Sequence, residues 1–566
     1  MSKSRNVKNS STLNQYRGAV VWIGYFASMT TLAITPFTSF DVINVIKLFT
    51  LSIAGFWALS FLITEFSQFK RLSQIHKRYL MLGFLLAMLL FIPLARSATY
   101  EQSIYGIYGR NTGLLANFSL LMILMAASLI NSSYNLQRIY STLLFTGALV
   151  GVYCLIQFLG LDPIDWATIY KPIYGTLGNP NFSSAFLGIS VSATVVLLFS
   201  RRSLLNKTLI VIILGLGFFL TLATDSWQGT IMILSSLFIA VLFGLHQKFR
   251  NRVLTFSLLL TGISLGVIGF LGMMGRGVLG GFLEKSTLAI RIEYWRTAIS
   301  ALQDNLLFGV GIDGFSDVFR YYRDEKTINL IGETVWTNSA HNVYLDFALS
   351  FGIFALLLLL ALKLIVLVVS LKYLKSNSFK FDAYMGIFLA WVSYEIQAMI
   401  SINQLGIGVW GWLLTGLLFG GAMIKSDAQQ GNARERSQSR AESGTNEFKP
   451  LLWFSGAVLG LFLALPALLA DSRFNASLKS ENLEEIFSAT KAFPVDSYRV
   501  VFVIDLLNKA NLDSQAAELA EFGVSQFPTN YSLHFLRAKL PATSPQSKVI
   551  SEQMIAQLNP LVDGRP

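Results

Sequence analysis

Thirteen largely apolar stretches punctuate the chain, at 19–34, 42–63, 79–95, 114–130, 139–159, 182–199, 208–223, 229–245, 253–274, 343–367, 383–400, 405–424 and 451–470. Stretches of about 17 to 25 such residues match the hydrocarbon thickness of a bilayer. Lipid offers no partner to a free backbone N–H or C=O, so a run of this kind must satisfy its own hydrogen bonds as a helix. The expected fold class is therefore all-α, a polytopic integral membrane protein of about thirteen transmembrane helices. Composition agrees: 53% of the 566 residues are hydrophobic and 13% charged, against roughly 25% charged in a soluble domain. The single cysteine, Cys154, can form neither an internal disulfide nor a thiolate metal site.

The net charge of +12 is largely topological. Lys3, Arg5, Lys8 and Arg17 precede the first stretch, and alternate loops carry Lys70, Arg71, Lys77, Arg78, Arg138, Arg201, Arg202, Lys207, Lys248, Arg250, Arg252, Lys372, Lys375 and Lys380. The short loops of the other face carry Arg96, Arg110 and Lys171. Basic loops stay on the cytoplasmic side, so the N-terminus is expected inside and, after an odd number of spans, the C-terminal tail outside. No small-residue cleavage site follows the first stretch, which is not read as a removable signal. With the basic residues so explained, no nucleic-acid partner is expected.

Three segments are too polar to span. Residues 275–342 form a long extracytoplasmic loop, and 425–450 a cytoplasmic linker whose 426–446 portion lacks apolar periodicity and reads as disordered. Residues 471–566 form the tail, after a membrane domain of 1–470. In the tail, Phe493-Pro494 and Phe527-Pro528 recur 34 residues apart with helical patterns between them (Val500, Val503, Ile504, Leu507; Ala516, Leu519, Ala520, Phe522, Gly523). A helix-turn-helix unit of that period is the signature of a tetratricopeptide-like repeat.

Topology sorts the four histidines: His76 and His246 fall in cytoplasmic loops, His534 in the tail, and His341 at the outer membrane surface, where the long loop enters the tenth span. Upstream, Leu288, Ile292, Trp295, Ile299 and Leu302 keep helical spacing, so 284–303 should be a helix lying on the outer interface. Arg291 and Arg296 project from its two edges, placed to offer planar donors to phosphate oxygens. Gly309-Val310-Gly311-Ile312-Asp313-Gly314 spells G-x-G-x-x-G but lacks the preceding strand of a dinucleotide site, and is read as a tight turn folding the loop back. No P-loop motif is present, which leaves no sign of an ATP-driven pump. The outer carboxylates Asp162, Asp165, Asp313 and Asp317 lack a companion His, so neither a metal nor another cofactor is expected.

The Gly175-Thr176-Leu177-Gly178-Asn179-Pro180-Asn181 loop, Arg291-Ile292-Glu293-Tyr294-Trp295, the 309–315 glycine turn and His341-Asn342-Val343-Tyr344-Leu345 occur in that order, all on the outer side. Together they resemble the O-antigen ligase and O-antigen polymerase superfamily over roughly residues 110–420. The resemblance implies a metal-independent glycosyltransferase of the bacterial inner membrane. Its members move a glycan from an undecaprenyl-pyrophosphate carrier to an acceptor hydroxyl on lipopolysaccharide core, growing polysaccharide or protein. It implies partners of lipid-linked oligosaccharide donor, glycan, lipid or protein acceptor, and membrane lipids. Tetratricopeptide-like tails are familiar among its members. The expected roles are His341 as general base and Arg291 as the main pyrophosphate clamp, with Arg110, Arg296 and Asn342 also binding substrate. The chain departs from the family where a Ser-Arg pair is replaced by Asp225-Ser226-Trp227-Gln228-Gly229. It departs again where Ser350 occupies a usual acidic position, leaving Asp346 as the nearest carboxylate.

Two other functions fit parts of the sequence. A small-solute transporter, as for family members described as taking up bicarbonate, should carry ionisable residues at membrane depth. Here these are Glu395 and Lys363, the latter close enough to the cytoplasmic end to snorkel. A membrane scaffold presenting its repeat tail would use the tail but leave the loop residues idle.

Overall fold

The computed structural model describes residues 18–66, 70, 72–97, 99–166, 173–200, 203–283, 286–438 and 448–561. Among these residues the chain is helical, with no strand. The membrane part begins with α1 (Trp22–Leu32), α2 (Asn44–Glu65), α3 (Gln74–Phe91), α4 (Leu114–Ala127), α5 (Ser133–Phe158), α6 (Pro180–Phe199), α7 (Leu204–Ala223), α8 (Trp227–Phe249) and α9 (Arg252–Met273). The long loop contributes α10 (Ser286–Asp304), α11 (Phe315–Tyr322) and α12 (Glu325–Ile331). Then follow α13 (Val343–Ser376), α14 (Ala383–Ala398), α15 (Leu405–Gln438) and α16 (Lys449–Ser480), and the tail helices α17 (Leu483–Thr490), α18 (Ser497–Lys509), α19 (Asp513–Gln526), α20 (Tyr531–Lys539) and α21 (Pro545–Leu558).

Each of the thirteen expected stretches is helical, and ten helices are long and apolar enough to cross a membrane. The exceptions are the Ala19–Leu32 segment, α4 at 14 residues and α14 at 16. Two of the three are enclosed by protein at the ends that would otherwise meet lipid or water. Nearly every residue of α4 is buried, as befits a helix apolar all round. At the end of α1 the ammonium of Lys47, from α2, donates to the carbonyls of Thr30, Thr31 and Ala33 at 3.0, 2.8 and 3.0 Å. A helix normally leaves its last carbonyls to water, and Lys47 replaces that water at depth. By contrast, α9 has none of its apolar window buried and faces outward.

Three expectations need correction. The linker is not irregular throughout: α15 continues to Gln438. Residues 439–447, like Arg17, Arg201 and Arg202, lie outside the described residues. The boundary placed between 470 and 471 falls inside α16, one helix from Lys449 to Ser480 with Pro466 within it.

The tenth span is the third correction, because α13 is broken. Gly352 has φ 80° and ψ 173° in the middle of it. In an unbroken helix Tyr344 and Lys363 would stand about 28 Å apart at ~1.5 Å per residue. Instead the Lys363 ammonium lies 5.4 Å from the Tyr344 ring centre, so residues 343–351 fold back against 353–376. The second half alone remains long enough to span. The exposed backbone at the break is paired with the glycine turn: Val310 N–H donates to the Leu349 carbonyl at 2.7 Å and Ile353 N–H to that of Leu306 at 2.9 Å. The turn does fold the loop back, into the gap in α13.

The tail helices form antiparallel hairpins around a core of their own that includes Val500, Val503, Ile504, Leu507, Leu519 and Ala520, the pattern expected from the sequence. One hairpin, α18 with α19, lies between the two Phe-Pro pairs. This unit docks on the membrane part. Asp471 accepts from Phe40 N–H at 2.8 Å and Tyr108 O–H at 2.8 Å, Tyr498 stacks on Tyr108 at 5.1 Å, and Arg323 of the long loop donates to Asn559 at 2.9 Å. Glu65 and Lys449 pair at the opposite ends of α2 and α16. The tail and the loops bearing the candidate site therefore share one face of the helix bundle.

Candidate active site at the mouth of α13

His341 lies in the three-residue approach to α13 with φ 53°. A left-handed histidine is uncommon and strained, a condition that clusters at functional sites. Asn111, next to Arg110, and Asp313 share it, with φ 55° and 53°.

Hydrogen bonds fix the approach from both sides. Asp346, one turn into α13, accepts from Ser339 Oγ at 2.5 Å and Ala340 N–H at 2.7 Å, while His341 N–H donates to Ser339 Oγ at 2.8 Å. Arg110 closes this loop with its guanidinium, donating to the Asn338 carbonyl and to Asp346 at 3.4 Å and standing 4.0 Å from Asp313. Asp313 in turn accepts from Thr112 Oγ1 at 2.9 Å and Ile107 N–H at 3.0 Å. Its own N–H donates to Ser350 Oγ at 3.3 Å. The glycine turn, the 100–112 loop and the start of α13 thus meet on one buried guanidinium and two carboxylates. Asp313 was not singled out as a site residue; its signal was the lone acid inside G-x-G-x-x-G. Ser350 carries no charge, yet it serves the same centre as a hydrogen-bond acceptor.

Helix α10 supplies the other wall. Its interior face runs through Tyr294, Ala298 and Ala301 against Phe315 and Phe319, one position off the expected stripe, and Ile299 points outward at 46% exposure. The small Ala298 and Ala301 face the core, while Leu288 is buried as well and Trp295 and Leu302 pack against the same cluster. Tyr294 stacks on His341, rings 5.6 Å apart at 26°. Arg291, one turn earlier on the same face, is partly buried, and its guanidinium has no hydrogen-bond or ion-pair partner among the described residues. Arg296 turns the other way and is held by Glu293 at 2.6 Å and by Asp324.

The electrostatics follow from this arrangement. Burial, then the charges of Arg291 and Arg110, push the His341 imidazole down from its ordinary 6.5 to about 3. Desolvation also lowers the proton affinity of Arg291. The resting site therefore presents a neutral imidazole beside an unneutralised guanidinium, which favours an anion.

Of the five expected residues, the structure brings His341, Arg291 and Arg110 together. Arg296 is paired on the far edge of α10. Asn342 caps α13, its carbonyl oxygen accepting from Tyr344 and Leu345 N–H at 3.0 and 3.1 Å and its amide donating to the Met399 carbonyl at 2.9 Å. The 175–181 loop makes its contacts elsewhere, Thr176 Oγ1 donating to the Thr31 carbonyl at 2.9 Å and Asn179 capping α6. Residues 181–360 match the family model for O-antigen ligase. Over that stretch the chain is similar to an O-antigen ligase domain. The matched stretch holds Arg291, Asp313, His341 and Asp346 but neither Arg110 nor the tail. A comparison with curated proteins found no match. Where the resemblance leads one to expect a Ser-Arg pair, this chain has Ser226 capping α8 and Gln228, whose amide oxygen and nitrogen are buried without a partner among the described residues.

Proposed function

We propose that this membrane protein transfers a glycan from an undecaprenyl-pyrophosphate carrier to an acceptor hydroxyl at the outer face of a bacterial inner membrane. The observation that carries the reading is the Arg291 guanidinium, without a partner among the described residues, beside a neutral, strained His341 where the long loop meets α13. In this reading the acceptor oxygen attacks the anomeric carbon, its bond to the pyrophosphate oxygen breaks, and the acceptor proton passes to His341. A pyrophosphate leaves as an anion, so it needs charge neutralisation, which a guanidinium fork supplies. The coupling of the two groups suits the order of events. Burial and the neighbouring Arg291 and Arg110 charges hold the imidazole unprotonated before the donor arrives, and the donor's phosphates offset the Arg291 charge and raise the imidazole's proton affinity when it must accept.

Arg110 acts on the same site as a neighbouring positive charge while holding Asp346 and Asp313 in place. The docked tail, read as tetratricopeptide-like, guides the acceptor, with the N-terminus cytoplasmic and the tail outside. Reporter fusions after Lys449 and Arg473 test that orientation by falling in opposite compartments. The enzyme reading is tested with purified protein, a synthetic undecaprenyl-pyrophosphate disaccharide, glycolipid extracted from the source membranes, and chelator present. His341→Ala should abolish glycan transfer without loss of inserted protein; near-normal transfer would refute the mechanism.

A further inference from the structure

The two charges that the sequence places at membrane depth are not spaced for a transport path. Lys363 does not snorkel to the cytoplasmic side: its ammonium lies 2.6 Å from Glu395 Oε1, over the rings of Tyr344 at 5.4 Å and Tyr394 at 5.1 Å. The second carboxylate oxygen of Glu395 accepts from the Tyr344 hydroxyl. Tyr344 stands three residues after His341, on the segment that folds back at Gly352.

We infer that Glu395, with Lys363, is a positioning device for His341, acting through Tyr344. The proposal rests on the reading of His341 given above. The His341 segment has two anchors. On one side Asp346, Ser339 and Arg110 hold residues 338–341. On the other the end of α14 holds residues 342–344, through the Met399 carbonyl and the Glu395 carboxylate. Without the second anchor, residues 343–351 are a short helix attached at a glycine hinge, free to tilt away from 353–376. Lys363 serves this device by neutralising Glu395, since a lone carboxylate at this depth would protonate or draw in water. Neither charge is left over to carry a solute or a proton across. Near-attack geometry is steep, a displacement of about 1 Å costing ~10²-fold in rate, so a hydrogen bond 51 residues away in sequence can govern turnover without touching substrate.

The test uses full-length protein in detergent, with a synthetic undecaprenyl-pyrophosphate disaccharide as donor, extracted source-membrane glycolipid as acceptor, and undecaprenyl pyrophosphate release as the readout. Tyr344→Phe removes one hydroxyl and keeps the ring over Lys363. The expectation is a kcat at least ~10-fold lower with donor KM unchanged and Tm unaltered; wild-type kcat overturns the proposal. The double variant Lys363→Met with Glu395→Gln removes both charges but keeps an acceptor for Tyr344, and should retain kcat within about threefold. A loss as deep as that of Tyr344→Phe would mean the charges themselves are used, which also overturns it. Lys363→Met with Glu395→Leu, neutral but without the acceptor, should fall to the Tyr344→Phe level; retention of wild-type kcat would again refute the device. His341→Ala runs alongside: if it transfers normally, the reading of the site has failed, whereas an inactive His341→Ala beside an unaffected Tyr344→Phe fails the positioning role alone.

Discussion

Arg110 and Arg291 both lower the proton affinity of the same histidine, yet they live in opposite surroundings. Arg110 is enclosed by a carbonyl and two carboxylates from three separate segments, with 8% of its side chain exposed. Arg291 has no hydrogen-bond or ion-pair partner among the described residues. A buried cation whose partners are all internal is a construction element, because removing it strands the carboxylates gathered around it. A half-buried cation without partners is a vacancy for an anion from outside. The same side chain thus builds the site in one place and serves it in the other, and the distinction lies wholly in what surrounds each.

The sharpest test of that division begins with its shared target. His341→Ala should lose ~10² to 10⁴ in kcat, the usual worth of a general base, while binding of the donor, measured with the labelled disaccharide lipid, survives because Arg291 remains. Next comes Arg110→Met, which should cost about 3 to 5 kcal/mol of stability by leaving Asp346 and Asp313 uncompensated, seen as a lower Tm and less protein recovered from membranes. Arg291→Met should leave Tm unchanged and raise donor KM. If the two arginine variants exchanged phenotypes, the contrast drawn here would be broken. Arg291→Lys keeps the charge but loses the fork, and should recover only part of the lost donor affinity.

A smaller effect concerns pH. Burial and two cations disfavour the imidazolium, so in the free protein His341 stays neutral as pH falls through 6.5 and gains its proton only near 3. The acid side of kcat/KM should show no limb centred near 6.5; Arg291→Met removes one of the two cations and should move the limb upward. The least effect belongs to the tail: Tyr108→Phe deletes the hydrogen bond to Asp471 and should weaken docking by about 1 kcal/mol, read as faster proteolysis between tail and membrane part.

The difference between the arginines was not legible in the sequence. Arg110 owes its role to Asp346 and Asp313, more than two hundred residues away, and no local pattern announces a partner at that distance. What could be read was whatever a local physical rule demands. Apolar length forces a helix, and every expected stretch is helical, ten of them long and apolar enough to span. In the tail, the apolar pattern between the two Phe-Pro pairs marked Val500, Val503, Ile504, Leu507, Ala516, Leu519 and Ala520, which lie in its core. The break in α13 escaped because Gly352 lies in a continuous apolar run, Ser350-Phe351-Gly352-Ile353-Phe354, where a glycine looks tolerable. Only the distant turn that fills the gap reveals it. For the same reason Asn342 read as a possible substrate ligand, although Asn immediately before a helix is a strong capping signal.

Gly309 and Gly352 carry a consequence for how such a sequence can drift. A methyl group on Gly309 would stand 2.1 Å from the Leu349 carbonyl oxygen, and one on Gly352 would stand 2.0 Å from that of Leu307. Each glycine is seated on the backbone of the other's segment, and each holds a positive φ. No second substitution can repair a loss at either, since the obstacle is main chain, which no mutation shortens. The charged residues of the site can be traded in pairs, but these two glycines have no trading partners, and any lineage that keeps this architecture has to inherit both.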